Sequence, residues 1–378
     1  MIRLLFCAFI GFAIAGCSTN SGHVKAELKE FDARYLLKRD WAKGVDSISR
    51  AQMQVSIYKS AVFAASDSGD VSSFSLDSGK KRWSRDVGAE LSAGVGVGDD
   101  IVVVGTLDGD LIALSAEDGA EVWKHALARE VVAPPTISSG YVIAHSGDGR
   151  VTALSAKDGK PAWYFDQDVP ALSIRGAGQS AVVSGAVAVG FANGRLAMFI
   201  LESGEMIWEQ QIAIPRGRSE ISRLVDVDAS PLVYGRTMFV ASYGKEIVAL
   251  DLRSGETRWK KDIGTYRDMM VDGQLLFVSD IEGHVWALDR RNGQTVWETD
   301  ELLGRYLTNP VAINGQVIVG DVDGYLHILS REDGKVIGRL SYDDEPFSGN
   351  LRVEDEHLVV LSREGNLASY NLSEIVNK

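Results

Sequence analysis

Apolar and polar positions along the chain repeat with a long period. Short β-rich runs occur at 62–65, 101–104, 141–144, 187–189, 238–241, 275–278, 317–319 and 358–361, each leading into a glycine-bearing turn. After each turn comes one pattern: Gly, any residue, apolar, two residues, apolar, four residues, Gly, three residues, Trp. It reads Gly69, Val71, Phe74, Gly79, Trp83, then Gly109, Leu111, Leu114, Gly119, Trp123 and Gly149, Val151, Leu154, Gly159, Trp163. Three further copies end at Trp208, Trp259 and Trp297, and in the copy ending at Trp259 the first glycine is displaced to Gly244. A seventh copy has Gly338 where the tryptophan belongs, and an eighth starts at Gly365, Leu367, Tyr370 and stops short. Four-residue apolar runs bounded by Asp-Gly, Asn-Gly or Glu-Gly are strands joined by hairpins. Each copy predicts three strands with room for a fourth, and eight such copies predict an all-β, eight-bladed β-propeller.

The truncated eighth copy lacks a last strand. The segment from Tyr35 to Trp41 has the sequence to supply it, so the ring is expected to close by pairing the N- and C-terminal strands and leave no open seam. The repeated tryptophans are expected to fill the wedges between blades, with Trp41 among them. Burial of an aromatic of that size is worth at most about 4–6 kcal/mol. Trp286, inside a strand, is expected to pack in the ordinary way.

The N-terminus is patterned differently. One positive residue, Arg3, precedes an unbroken apolar run from 4 to 15. Such a run is too short for a helix across a hydrocarbon core of about 30 Å, but it suits the core of a signal peptide. It ends in Ile14-Ala15-Gly16-Cys17, which resembles a bacterial lipobox. That resemblance implies cleavage before Cys17, lipid attachment to its sulfur, and, with Ser18 rather than Asp following, the outer membrane as destination. The expected organisation is a signal peptide at 1–16, a lipidated cysteine and tether at 17–30, and the propeller at 31–378. Cys7 leaves with the signal peptide, so the mature chain has one cysteine and no disulfide.

Composition narrows the function. At 45% hydrophobic and 24% charged, this is neither a disordered chain nor a polytopic membrane protein. With 52 acidic and 39 basic side chains, a net charge of −13 argues against nucleic acid as partner. The six histidines, His23, His125, His145, His284, His327 and His357, have no close metal-ligand spacing. There is no Gly-x-Ser-x-Gly elbow, and the glycine clusters at 94–98 and 176–178 lead into β-like sequence rather than a helix. Asp321-Val322-Asp323-Gly324 lacks the spacing and terminal Glu of a calcium loop and suits a hairpin turn. No cofactor is expected.

The tryptophans of the repeat, from Trp83 to Trp297, are spaced 40, 40, 45, 51 and 38 residues apart. The two long intervals flank Trp208, and extra length in a repeat goes into loops that often bind. The first insertion carries Leu172, Ile174 and Arg175. Its apolar pair beside a guanidinium suits the centre of an interface, although a buried strand edge is the plainer alternative. The second carries Asp226 and Asp228, which share a face if extended. They suit either charged contacts to a partner or turn capping and local ion pairing. Because the insertions are in neighbouring copies, both are expected on one side of the ring.

Two resemblances follow from these motifs. The glycine–tryptophan rhythm resembles the repeats of pyrroloquinoline-quinone (PQQ) dehydrogenases. Those enzymes usually hold their cofactor against a disulfide, which the mature chain cannot make. The lipobox, the eight repeats, and the segments Leu172-Ser173-Ile174-Arg175-Gly176, Asn193-Gly194-Arg195-Leu196 and the run 215–228 together resemble the BamB family. These are lipoprotein subunits of the β-barrel assembly machinery of Gram-negative outer membranes. The resemblance spans essentially the whole mature chain. It implies a non-enzymatic scaffold on the periplasmic face of the outer membrane, docked on the POTRA domains of BamA within the BAM complex and serving unfolded outer-membrane clients. It also implies that Leu172, Ile174, Arg175, Asp226 and Asp228 make the docking contact. Ile174 departs conservatively from the leucine usual in that family. A PQQ-dependent dehydrogenase and a generic periplasmic propeller binding peptide or polymer are the alternatives.

Overall fold

The computed structural model describes residues 24–49, 53–170, 172, 177–215, 223–243 and 246–376. Among them are 32 strands, β1 to β32 in chain order, arranged as eight four-stranded antiparallel sheets. Blade 1 pairs β2 (Ser56–Tyr58), β3 (Ala61–Ala65), β4 (Asp70–Ser75) and β5 (Lys81–Asp86) in that order from the axis outward. Blades 2 to 7 repeat this plan. Neighbouring innermost strands touch, and contact between β30 (Arg352–Glu354) and β2 closes the circle. The fold is the expected eight-bladed propeller. The fourth strand, for which the pattern left only room, is the innermost one. It is three residues long and half-buried in blade 1, too short to show a period of two.

Burial explains the repeat. All five residues of β3 are buried, as are the four central residues of β4, whereas β5 buries only Trp83. The outer strand therefore reaches the core through one side chain. That side chain meets the other conserved feature of the repeat in the next blade. A Cβ on Gly119 would lie 2.6 Å from the Trp83 ring, and Gly79, Gly159, Gly204, Gly255, Gly293 and Gly334 stand in the same relation to Trp41, Trp123, Trp163, Trp208, Trp259 and Trp297. Each of these glycines also has positive φ, +74° at Gly119, where a side chain is strained. Each indole Nε1 then donates to a carbonyl of that neighbouring blade, from 2.6 Å for Trp41 to Leu76 up to 3.4 Å for Trp208 to Leu252. Seven inter-blade junctions share this lock.

The eighth junction is built from the chain ends. β1 (Tyr35–Gly44) pairs along β32 (Asn366–Glu374), from Tyr35 opposite Glu374 to Gly44 opposite Asn366, and completes blade 8 as its outer strand. Between blades 7 and 8 there is no tryptophan, and the tenth position after Gly365, where the socket glycine should be, is Ile375. Knob and socket are missing together. In their place Arg34 donates its N–H to the Ile337 carbonyl at 2.8 Å and accepts from the Ile375 N–H at 2.8 Å. Gly338 makes room, since a Cβ there would lie 2.5 Å from the Tyr35 carbonyl oxygen.

Residues 24–34 form a strap along blade 7, so the packed structure begins before residue 31. Lys25 pairs with Asp323 at 2.7 Å, the Ala26 N–H bonds the Leu303 carbonyl at 2.9 Å, and buried Arg305 donates to the Ala26 carbonyl at 2.9 Å. Arg305 also pairs with buried Asp321 at 2.6 Å, which His327 contacts at 2.9 Å. Further along, Arg339 bonds the Lys29 carbonyl at 3.2 Å and stacks 4.8 Å over Phe31.

The lock gives a double-mutant test. Gly119→Ala is expected to cost about 2–5 kcal/mol through left-handed strain and overpacking. In a Trp83→Ala background, itself costing about 3–5 kcal/mol, only the strain of about 1–2 kcal/mol should remain. Denaturant unfolding measures both. An equal cost in both backgrounds would contradict the contact.

Candidate functional site

The two insertions become two connections between blades. Residues 167–180 join β13 (Pro161–Asp166) to β14 (Ala181–Val183), and residues 212–231 join β17 (Met206–Gln211) to β18 (Leu232–Tyr234). Every such connection runs from an outer strand to the next inner strand. With four antiparallel strands per blade, all of them emerge on one face, here the loop face. The expectation of a shared side is met. Lys25 reaches Asp323 in a turn on this same face, so the chain also enters the fold there.

The loops touch each other. A Cβ on Gly178 would lie 2.7 Å from the Asp228 carbonyl oxygen and 2.8 Å from the Ala229 carbonyl. The Gln179 N–H donates to Ser230 Oγ at 3.2 Å. Between blades the first loop is also held by the Ala177 N–H on the Val132 carbonyl at 3.1 Å.

On these two connections Leu172 is 44% exposed, as are Val169 at 40% and Ile214 at 59%, two apolar side chains that no motif marked. Their signal was apolar character inside an insertion, without a period to mark it. Ile174, Arg175 and the lipid-attachment candidate Cys17 lie outside the described residues.

Asp226 and Asp228 take unequal positions. Asp226 is fully buried between buried Val225 and Val227. Its carbonyl accepts from the Tyr243 N–H at 3.0 Å, and the Val227 N–H bonds the Phe191 carbonyl at 3.2 Å. Asp228 is partly exposed as a residue, but its Oδ2 is sealed from solvent and has no hydrogen-bond partner. Burial, and secondarily the charge of Asp226, push the Asp228 carboxyl well above the usual carboxylate range. The pair thus sits beneath the loop surface, holding the segment in place.

Among the described residues no three His, Cys, Asp or Glu side chains are grouped to hold a metal. Three of the described histidines have other partners. His145 is buried edge-on to Phe191 at 5.6 Å, and burial lowers its pKa to about 4. His284 contacts Asp280 at 2.8 Å, and His357 contacts Asp40 at 3.2 Å. Trp286, the tryptophan outside the inter-blade set, donates to Asp280 at 2.9 Å.

The raised Asp228 pKa has a definite sign. The folded state binds this proton more tightly than the unfolded chain, so the favourable term is complete below the unfolded pKa and is lost as pH rises through the folded one. Asp228→Asn, whose amide can donate toward Asp226, is expected to melt higher than the parent at pH 8, with the gap narrowing toward pH 4. Parallel melting curves across that range would contradict the assignment.

Comparison with known proteins agrees with the fold and adds its lineage. A family model described as outer membrane protein assembly factor BamB matches residues 67–299. The outer membrane protein assembly factor BamB of Pseudomonas aeruginosa is 41% identical over 368 residues, covering 96% of this chain and 97% of that one. The crystal structure of BamB from Moraxella catarrhalis superposes with a TM-score of 0.83 at 29% identity, over 89% of this chain and all of that one. The quinohemoprotein alcohol dehydrogenase of Comamonas testosteroni, with a TM-score of 0.72, 12% identity, and 89% of this chain matched to 76% of that one, shares the architecture alone. With repeat, ring closure and near-full-length likeness in agreement, this chain belongs to the BamB family of outer-membrane protein assembly factors.

Proposed function

We propose that this protein is a non-catalytic scaffold of the outer-membrane β-barrel assembly machinery, docking through its loop face on the POTRA domains of BamA and helping to deliver outer-membrane proteins for insertion. The observation that carries this reading is the pair of insertion loops, packed on one another and exposing Val169, Leu172 and Ile214 on one face. Exposed apolar side chains on long loops of a rigid frame suit the centre of an interface. Leu172 and Ile174 supply apolar contact and Arg175 the charged one. Asp226 and Asp228 set the geometry of the second loop from below.

In this reading residues 1–16 are a cleaved signal peptide and Cys17 carries the lipid that holds the protein at the periplasmic face. Cys17 is eight residues before Lys25, a reach of at most about 29 Å when extended. The loop face is then held close to the membrane that contains the partner. A firm hold needs more than one acyl chain, because a single chain gives only marginal binding.

A client-binding role has its own surface. The outer strand of blade 4 exposes Met206 at 40% and Ile207 at 46%, where blade 1 has Lys81 and Arg82 and blade 5 has Thr257 and Arg258. An outer strand without these charges is open to pairing with an extended segment.

Two substitutions separate the surfaces. Arg175→Glu should reduce retention of BamA from detergent-solubilised envelope by at least tenfold without changing the melting temperature. Full retention would remove Arg175 from the interface. Ile207→Lys should leave BamA retention unchanged and weaken binding of an unfolded outer-membrane protein. Unchanged client binding would remove blade 4 from that role.

A further inference from the structure

The inner ends of the two insertion loops are tied into a closed polar circuit across the mouth of the propeller axis. Gln54, before β2 in blade 1, donates through Nε2 to Gln179 Oε1 at 3.4 Å. Gln179, at the end of the first loop, donates its backbone N–H to Ser230 Oγ at 3.2 Å and its Nε2 to the Pro135 carbonyl at 3.1 Å. Ser230, at the end of the second loop, donates its N–H to Asp268 Oδ1 at 2.9 Å. Asp268 Oδ2 accepts from Asn350 Nδ2 at 2.6 Å and lies 3.7 Å from the Arg352 guanidinium. Arg352 returns to Gln54 Oε1 at 2.7 Å. Blades 1, 4, 5, 6 and 8 are joined in one loop of contacts. Gln54 is 7% exposed, and Gly349 packs so close that a Cβ there would lie 2.8 Å from Gln54 Cβ.

We propose that this circuit positions the docking loops, with Gln54, Gln179, Ser230, Asp268 and Arg352 as positioning residues that never touch the partner. The inference rests on the docking reading above. Long loops are ordinarily mobile, and ordering them on binding weakens affinity. Here the two loop ends cannot separate without breaking the Gln179–Ser230 bond. Neither can move relative to the rest of the ring without breaking a link to Gln54 or Asp268. Partly buried hydrogen bonds of this kind reinforce one another. The circuit therefore keeps the inner ends of both loops in place before the partner arrives, and it draws on blade 1, a part of the ring that carries neither insertion.

Gln54 provides the decisive test. Full-length lipidated protein in detergent is titrated with purified BamA in the parent, Gln54→Ala, Gln179→Ala and double-variant forms. Each single variant is expected to weaken binding about tenfold, and the double variant no further, because either change opens the same circuit. Hydrogen exchange should accelerate at 177–183 and 223–230 in Gln54→Ala, although neither segment contains the substitution. Gln54→Glu, which keeps the acceptor for Arg352 and loses the donor to Gln179, guards against simple misfolding and should show the same weakening. Parent-like binding by both Gln54 variants, or multiplied effects in the double variant, would overturn the circuit. Leu172→Asp is the separate arm for docking itself. If it binds like the parent, the docking reading fails, while the exchange rates still report on the circuit.

Discussion

The ring depends on one contact, repeated at seven of its eight junctions: the tryptophan of one blade lying over the glycine of the next. The two residues come from successive copies, as with Trp83 and Gly119, and neither makes sense within its own copy. The outer strand of blade 1 has only Trp83 with which to reach the core, and that ring fits only because Gly119 presents no side chain. The indole N–H then finds the Ala116 carbonyl at 3.1 Å, so a large apolar body is buried with its one polar atom satisfied. Repeated seven times, this lock fixes the spacing of the blades. A fixed frame is what allows two connections on its rim to lengthen without loss of the fold.

The exception supports the rule. Where Gly338 replaces tryptophan, the socket glycine of the following copy is also gone, and the backbone of residues 34 and 35 fills the gap. The seam is thus the place where the chain ends are woven in. The strap that leads into it is held at the loop face by the Lys25–Asp323 pair and by Arg305, which bonds the Ala26 carbonyl and is itself fixed by a buried ion pair with Asp321. Breaking one partner of such a pair leaves an uncompensated charge, which is far more costly than a lost surface contact.

Much of the fold was legible because the propeller is a repeat. The glycine–tryptophan rhythm gave the blade count, and the truncated eighth copy gave the role of Tyr35 to Trp41. Innermost strands of three residues, such as Ser56–Tyr58, were not legible, because so short a run has no period to read; blade 2 alone among the described blades has a longer one, Leu91–Gly98. The site was readable in part. Unequal tryptophan spacing located both loops, but sequence could not tell that Asp226 lies buried while Leu172 is exposed. Nor could it bring Gln54 to Gln179, since 125 residues separate them and neither stands in a motif. Such pairings come from closure of the ring, a property of the whole chain.

Docking through the loop face is the proposal on which the functional reading turns. Its most direct measurement is site-specific photo-crosslinking to BamA in intact cells. The photoreactive residue is placed at Leu172 or Ile214 on the loop face, and at Lys157 on the opposite face. BamA adducts are expected from 172 and 214 and none from 157. Adducts from 157, with 172 and 214 silent in a normally folded and membrane-localised protein, would contradict docking through the loop face.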